Sequence, residues 1–552
     1  MNAERLLTHY EQIADAPDAI GRLRRFILDL AVRGKLVPQD ARDEPAVELL
    51  KRIGVEKARL VKAGEIRKQD PFEPDLSADR TFTVPESWQW VPATYPAYVV
   101  SDMDKKIQTK DVLAAGDFPV VDQGKVFIRG YCNDASKVIR VKEPLVLFGD
   151  HTRETKLIDF DFVVGADGVK LLQPVCLFTN YYFLALQWLP LDSRGYGRHF
   201  KLLRASFLPL PPLAEQQRIV AKVDELMALC DRLEAARAER EATRDRLAAS
   251  SLARLNAPDP ETFQADARFV LNALPALTTR PDQIKQLRQT ILNLAVRGKL
   301  VPQDPKDEPA SELFKRIEVE KARLLKAGKL KRTKEFEPLS SKADLIELPR
   351  GWEVVRLGSA YDVRDGTHDT PKYVDVGFPL ITSKNLSSGY LSFADVKLIS
   401  EQDHQQISER SRVDNGDVLL AMIGSIGNPV VVDTDRSFSI KNVALFKYYD
   451  RDLSSPSFLR YFLQDAANQM KDLAAGGLQP FVSLGFLRAY PIALPPLSEQ
   501  HRIVAKVDEL MALCDQLEAS LTDTAATRRR LLDALLAEAL EPTENLEVEV
   551  AA

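Results

Sequence analysis

One stretch that occurs twice constrains this chain more than any other feature. Residues 211–235, opening Pro211-Pro212-Leu213, return at 495–519 with three changes: Ala214 becomes Ser498, Gln217 becomes His501 and Arg232 becomes Gln516. After the Pro-Pro stop, apolar residues fall at Ile219, Val223, Leu226, Cys230 and Leu233, the 4-3-4-3 spacing of a coiled-coil seam. The second copy repeats it at Ile503, Val507, Leu510, Cys514 and Leu517 and carries on to Leu521, where the first copy has Arg237. A helix with such a seam needs a partner to cover it. The chain encodes two, and the simplest expectation is that they pack antiparallel on each other.

The repeat extends well beyond these helices, in two halves with different offsets. From Pro17-Asp18 against Pro281-Asp282 the offset is 264; it covers the identical 30–40 and 294–304 and ends near Trp88 and Trp352. From Leu203 against Leu487 the offset is 284, so the second insert is longer by the difference, 20 residues. Between the matched flanks the sequences share no convincing identity. The chain therefore reads as a duplicated frame holding two unlike inserts.

Within the frame, Asp18 is the expected N-cap of a helix with Ile20, Leu23, Ile27 and Leu30 on one face, closed by Arg33-Gly34. A second helix is expected from about Pro45 to Lys62, with its twin ending at Ala327-Gly328. Basic stretches follow at Arg67-Lys68 and Lys329–Lys334 and read as solvated linkers. In the inserts, 118–122, 125–129, 137–141 and 144–148, then 354–357, 378–382, 417–421 and 430–432, read as strands. Helices are expected near Thr179–Trp188 and Ser457–Ala474, so each insert is a mixed α/β globule. Residues 253–280 lack a strong period and read as a connector; 541–552 is acidic and reads as a disordered tail.

At 552 residues the chain is too long for one core. Its 45% hydrophobic and 28% charged content is that of a soluble globular protein. The longest uncharged stretch, Leu171–Leu191, is broken by Gln173, Pro174, Asn180, Gln187 and Pro190 and reads as buried core, with no membrane partner expected. An early acid and no apolar signal core argue against export, and four cysteines without a CxxC pair fit a cytoplasmic location. The seam cysteines Cys230 and Cys514 read as small buried hydrophobes. A formal charge of −5 neither advertises nor excludes nucleic acid, because binding depends on a local basic face.

Catalytic signatures are missing: no P-loop, no G-x-G-x-x-G, no H-E-x-x-H, no G-x-S-x-G, and no Asn/Asp-Pro-Pro-aromatic tetrapeptide. The nearest nuclease-like pattern, Asp150, Glu154 and Lys156, is compressed and isolated. Six scattered histidines make no metal spacing.

Two unlike globules on a duplicated frame suit a two-headed reader, and here the residues resemble a known family. Leu-Pro-Pro-Leu-Ala/Ser-Glu-Gln-x-Arg-Ile-Val closes each insert at 210–220 and 494–504. Pro-x-x-Trp opens each at Pro85–Trp88 and Pro349–Trp352, and Phe148-Gly-Asp-His-Thr-Arg153 lies in the first. Over nearly its whole length the chain resembles the specificity subunits of type I restriction-modification enzymes.

That resemblance implies an α+β fold: two target recognition domains joined by two long antiparallel coiled-coil helices in a pseudo-two-fold arrangement. The boundaries would be a helical region at 1–85, recognition domain 1 at 86–210 and the central helix at 211–252. A linker and second helical region at 253–348, recognition domain 2 at 349–494, the C-terminal helix at 495–540 and a tail at 541–552 complete the chain. Each domain would read half of a bipartite double-stranded DNA target. The helices would dock two methyltransferase subunits, and endonuclease/translocase subunits would join. The chain itself would be non-catalytic and hold no cofactor; S-adenosylmethionine, ATP and Mg would belong to those partners.

Direct readout requires hydrogen-bonding side chains on loops, with cations for phosphates. The candidates in the first insert are Lys105, Lys106, His151, Arg153, Lys156, Arg194, Tyr196, Arg198, His199 and Lys201. In the second they are Arg364, Lys372, Ser383, Lys384, Asn385, Lys441, Asn442 and Gln479. The competing class is a coiled-coil scaffold whose inserts bind proteins. A specificity subunit of a methylation-only or fused system is a third.

Overall fold

The computed structural model describes residues 15–67, 82–256, 261–330, 348–472 and 481–540, apart from positions 17, 103, 166–167, 193–194, 196 and 424–425. The chain divides into two units, 1–240 with 524–552, and 241–523.

Unit 1 begins with α1 (Ala19–Val32) and α2 (Ala46–Lys62). The insert supplies β1 (Gln89–Pro92), β2 (Ala97–Val100), β3 (Lys106–Ile107), β4 (Phe118–Val121) and β5 (Gly130–Cys132). It continues with β6 (Leu145–Gly149), β7 (Thr155–Ile158), β8 (Val163–Gly165), β9 (Val169–Pro174), α3 (Thr179–Trp188), α4 (Phe200–Ala205) and β10 (Phe207–Leu210). Helix α5 (Leu213–Asn256) starts here and ends in unit 2.

Unit 2 has α6 (Phe263–Leu277), α7 (Pro281–Val296), α8 (Ala310–Lys326), β11 (Glu353–Arg356), the short α9 (Leu357–Ala360) and β12 (Asp362–Asp365). Next come β13 (Tyr373–Val374), β14 (Phe378–Ile381), β15 (Lys397–Ile399), α10 (Glu401–Ser411), β16 (Val418–Ala421), β17 (Gly427–Val431), β18 (Ser439–Ile440) and β19 (Val443–Lys447). Helix α11 (Pro456–Asp472), α12 (Leu484–Ala489) and β20 (Pro491–Leu494) lead into α13 (Leu497–Leu540), whose last turns return to unit 1.

The two inserts, unlike in sequence, share a topology apart from one edge strand, β3 beside β8 in the first and β13 beside β15 in the second. One antiparallel sheet runs β2-β9-β6-β7 in unit 1 and β12-β19-β16-β17 in unit 2. A second sheet sets β8 parallel to β4, with β5 antiparallel beyond it. Its counterpart sets β18 parallel to β14, with β15 antiparallel beyond. A two-stranded ladder, β1 with β10 or β11 with β20, closes each insert. Alternation explains the apolar strands. In β6, Val146 and Phe148 join the core shared with the frame, while Leu145 and Leu147 join the core between the sheets. In β19, Ala444 and Phe446 divide from Val443 and Leu445 in the same way.

The seam of α5 is covered differently from the simplest expectation. Ile219, Val223 and Cys230 are buried among Trp88, Tyr181, Leu208 and Ile53 of their own unit. Ile503, Val507 and Cys514 are buried among Trp352, Ile492, Ile284 and Leu313. Neither cluster contains a residue of the other long helix. What brings the long helices together in unit 1 is α1. Asp15 and Ala16 meet Arg240 and Arg237, and Arg24 meets Glu234 and Asp231, so α5 runs against α1. Ala16 and Ala19 pack on Leu532 and Leu535, then Phe26 and Leu30 on Ala539, so α13 runs with α1. Within this unit the long helices are therefore antiparallel. In unit 2, α7 takes the place of α1: Arg280 meets Glu241 and Asp245, and Arg288 meets Asp515 and Glu518.

Other expectations need correction. Residues 125–129 form an exposed loop, and 137–141 makes only the isolated bridge Ile139–Phe162. The connector 253–280 contains α6, whose Val270 packs with Leu255 and Leu294. Asp18 is an N-cap by position only; its backbone is left-handed (φ 58°) and its side chain caps nothing. Gly34, by contrast, closes α1 as expected at φ +67°, where a Cβ would meet Pro85 at 2.5 Å. The tail 541–552 and most of the basic linkers lie outside the described residues.

Candidate nucleic-acid interface

In the first insert three loops meet beyond the ends of the parallel strands β4 and β8. They are 122–129, 149–154 and the described residues between α3 and the start of α4, with Leu191 and Phe200 making the contacts. The His151 backbone N–H donates to Gln123 Oε1 (3.1 Å), and the Thr152 hydroxyl to Gln123 O (2.6 Å). Arg153 Nη1 donates to Leu191 O (2.6 Å), and the Phe200 N–H to Asp150 Oδ1 (2.7 Å). These bonds hold Arg153 in a left-handed conformation (φ 67°) that arginine rarely adopts. Gly168 closes the cluster, since a Cβ there would stand 2.6 Å from His151 Cδ2.

Not every predicted contact residue faces outward. Lys156 is 4% exposed, and its ammonium donates to the carbonyls of Asp122 (2.8 Å) and Val126 (2.6 Å), with Phe127 O at 3.4 Å. Burial lowers its pKa, partly offset by Asp122 and Glu154. A cation spent on carbonyl oxygens pins a loop from within and cannot reach a phosphate. His199, 1% exposed, places Nδ1 2.9 Å from Asp150 O and is likewise internal. Lys105 donates to Ser136 O, and Lys106 pairs with Asp102 (3.1 Å) at the far edge strand of the same sheet. Arg198 and Lys201 are exposed. Arg194, Tyr196 and Gln479 lie outside the described residues.

In the second insert the same topological position is a cleft of about 760 Å³. It brings together five predicted residues, Ser383, Lys384, Asn385, Lys441 and Asn442, with Tyr373 and Lys397. Asn385 is 7% exposed and builds the wall: Oδ1 accepts from Thr382 N and Oγ1 (3.0 Å each), and Nδ2 donates to Ser392 O and Ala394 O. Asn442 is left-handed (φ 54°), with Oδ1 3.1 Å from His368 Nδ1; Lys441 donates to the Thr370 hydroxyl. Lys384, Lys397 and Lys441 against Asp395 leave the lining net positive. Lys372 is exposed beside Tyr373. Arg364 does not join them; on β12 it bonds Asp362 (2.8 Å) and Arg410 O (3.1 Å).

Sequence reasoning missed Gln123, Lys125 and Arg129 because 125–129 resembles a strand. The Asp122-Gln123-Gly124 turn directly after an apolar strand was the available signal. Lys397 was missed inside a strand, where a cation reads as ordinary surface.

The chain is a duplicated helical frame carrying two domains of similar topology with unlike loops. A family model described as the type I restriction modification DNA specificity domain matches residues 349–525. The chain is 33% identical over 554 residues to the type I restriction enzyme EcoAI specificity subunit of Escherichia coli, covering 94% of this chain and 93% of that one. The E. coli EcoEI specificity subunit is 31% identical over 572 residues, with 94% of each covered. A solved chain from a study of complex assembly and conformational transition of the type I R-M system is 18% identical. Its TM-score is 0.49, over 83% of this chain and 99% of that one. The chain belongs to the specificity subunits of type I restriction enzymes.

Proposed function

We infer that each insert reads one half of a bipartite DNA target, and that the frame docks two methyltransferase subunits. The observation that carries this reading is the contrast between frame and loops. The frame repeats its contacts residue for residue: Trp88, Gln39 and Glu215 against Trp352, Gln303 and Glu499, and Arg218–Asp43 against Arg502–Asp307. Loops at one topological position in the two inserts carry different side chains. A repeated frame suits two copies of one partner, and unlike loops suit two unlike half-sites. The chain is the non-catalytic member of the complex. S-adenosylmethionine belongs to the methyltransferase subunits, and ATP and Mg to endonuclease/translocase subunits.

The loops supply side chains for base edges and exposed cations for phosphates. Binding then has a salt-dependent part common to all DNA and a sequence-dependent part set by the loops. The test is a gel shift of the assembled complex on target and random duplexes across salt concentrations. Tighter binding to target with a linear fall against log salt is expected; no DNA binding at low salt overturns the reading in favour of a protein scaffold.

A further inference from the structure

Residues 126–128 depart from the ordinary design of a domain surface, where runs of exposed apolar side chains are avoided unless they serve a function. Val126 is 60% exposed, Phe127 45% and Ile128 37%, and the exposed cations Lys125 and Arg129 flank them. The loop is not slack. The buried Lys156 ammonium donates to the carbonyls of Val126 and Phe127, and the Thr152 hydroxyl holds Gln123 O at its base. The Phe127 ring stands edge-on to Phe160 at 6.0 Å. An apolar tip is thus held toward solvent by bonds to its own backbone.

The second insert indicates what this position is for. The loop after β14 is the counterpart of the loop after β4, and it lines the polar, basic cleft with Ser383, Lys384 and Asn385. Gln123 joins the tip to the His151 turn, so the tip is continuous with the candidate interface of its own insert. The same place in the fold carries opposite chemistry in the two inserts.

We propose that the 122–129 loop enters the DNA, with Val126 and Ile128 as an apolar wedge against the bases and Lys125 and Arg129 on the flanking phosphates. This rests on the DNA reading above and deepens it. Apolar side chains pushed into a base step partly unstack it and bend the duplex, a cost offset by the contacts the bend permits. A loop already fixed from within loses little freedom on insertion. Lys156 is then a positioning residue.

The test uses the full chain assembled with its methyltransferase subunits, on a target duplex labelled at both ends for energy transfer. Val126→Ser with Ile128→Ser leaves the Phe127–Phe160 contact and the backbone bonds of Lys156 in place. This pair is expected to lose at least about tenfold in target affinity, together with the bend. Val126→Leu with Ile128→Leu should keep both. Lys125→Ala with Arg129→Ala should weaken binding to every sequence and reduce the slope of log affinity against log salt by about two. A serine pair that binds and bends the target like the parent overturns the proposal. So does a serine pair that sheds methyltransferase subunits on gel filtration, which makes the tip a protein contact. A parent complex that binds no DNA overturns instead the reading on which the proposal rests.

Discussion

The indole Nε1 of Trp88 donates a hydrogen bond to Glu215 Oε2 at 2.9 Å, deep inside unit 1, where Trp88 is 2% and Glu215 1% exposed. Gln39 Nε2 donates to the other carboxylate oxygen, Oε1, at 2.5 Å. The Pro-x-x-Trp opening, the 30–40 repeat and the Leu-Pro-Pro-Leu helix thus converge on one carboxylate. Glu499 does the same with Trp352 and Gln303 in unit 2. Glu215→Ala leaves a buried indole N–H unpaired, and the expected cost is roughly 1–3 kcal/mol. Glu215→Gln keeps an acceptor and should lose less. Urea denaturation of both variants measures the difference, and equal losses would count against this role.

Burial raises the pKa of Asp465 on α11 from 3.8 to about 6, with Arg297 and the Gln289 amide (2.8 Å) opposing the shift. Between those two values the folded state holds a proton that the unfolded state releases, so stability falls as pH rises through the window. Asp465→Asn should flatten that fall and stabilise unit 2 at neutral pH by up to about 3 kcal/mol. Denaturant titrations at pH 4 and pH 7 provide the check; a variant whose stability changes with pH as the parent's does would contradict it.

Lys156→Ala removes the donor shared by the carbonyls of Asp122 and Val126. The expected result is faster amide hydrogen exchange across 122–129, with a stability loss of roughly 1–3 kcal/mol. Unchanged exchange in that loop would mean that the loop holds its shape without the lysine.

The frame was legible because it repeats: identical residues at a fixed offset marked its helices, and the Pro45 start and Ala63-Gly64 stop placed α2 within a residue, while α3 of the first insert fell where its sequence pattern put it. The seam also read correctly as a buried stripe. Its cover could not be read, because Ile219 and Val223 show that a partner exists without naming Trp88 and Tyr181 as that partner. The common topology of the inserts was invisible for a related reason. Backbone ladders such as β4–β8 and β14–β18 need only short apolar runs, and Phe118–Val121 and Phe378–Ile381 share no more than a Phe-Pro before Val-Val in one and Leu-Ile in the other, too little to mark a repeat. At the candidate interface composition misled in both directions. Lys156, His199 and Asn385 have the chemistry of DNA contacts, but tertiary hydrogen bonds consume it. Val126–Ile128 has the chemistry of a strand, but it is exposed.

Four residues inserted after Ala235 would lengthen α5 by about 6 Å and carry Arg237 and Arg240 away from Ala16 and Asp15. Those contacts are largely at the surface, so the loss in stability should stay within about 1 kcal/mol. The expected target keeps both half-sites and gains a spacer longer by about one base pair. An active complex with an unchanged spacer would show that α5 does not set the distance.

If the two inserts read DNA independently, an exchange of residues 92–202 for the matching segment of a relative alters one half-site alone. Methylome sequencing of a host carrying the exchanged chain with its methyltransferase gives the outcome in one experiment. One half-site should take on the relative's sequence while the other half-site stays as it was. A change in both half-sites, or in neither, would mean that the inserts are not independent readers.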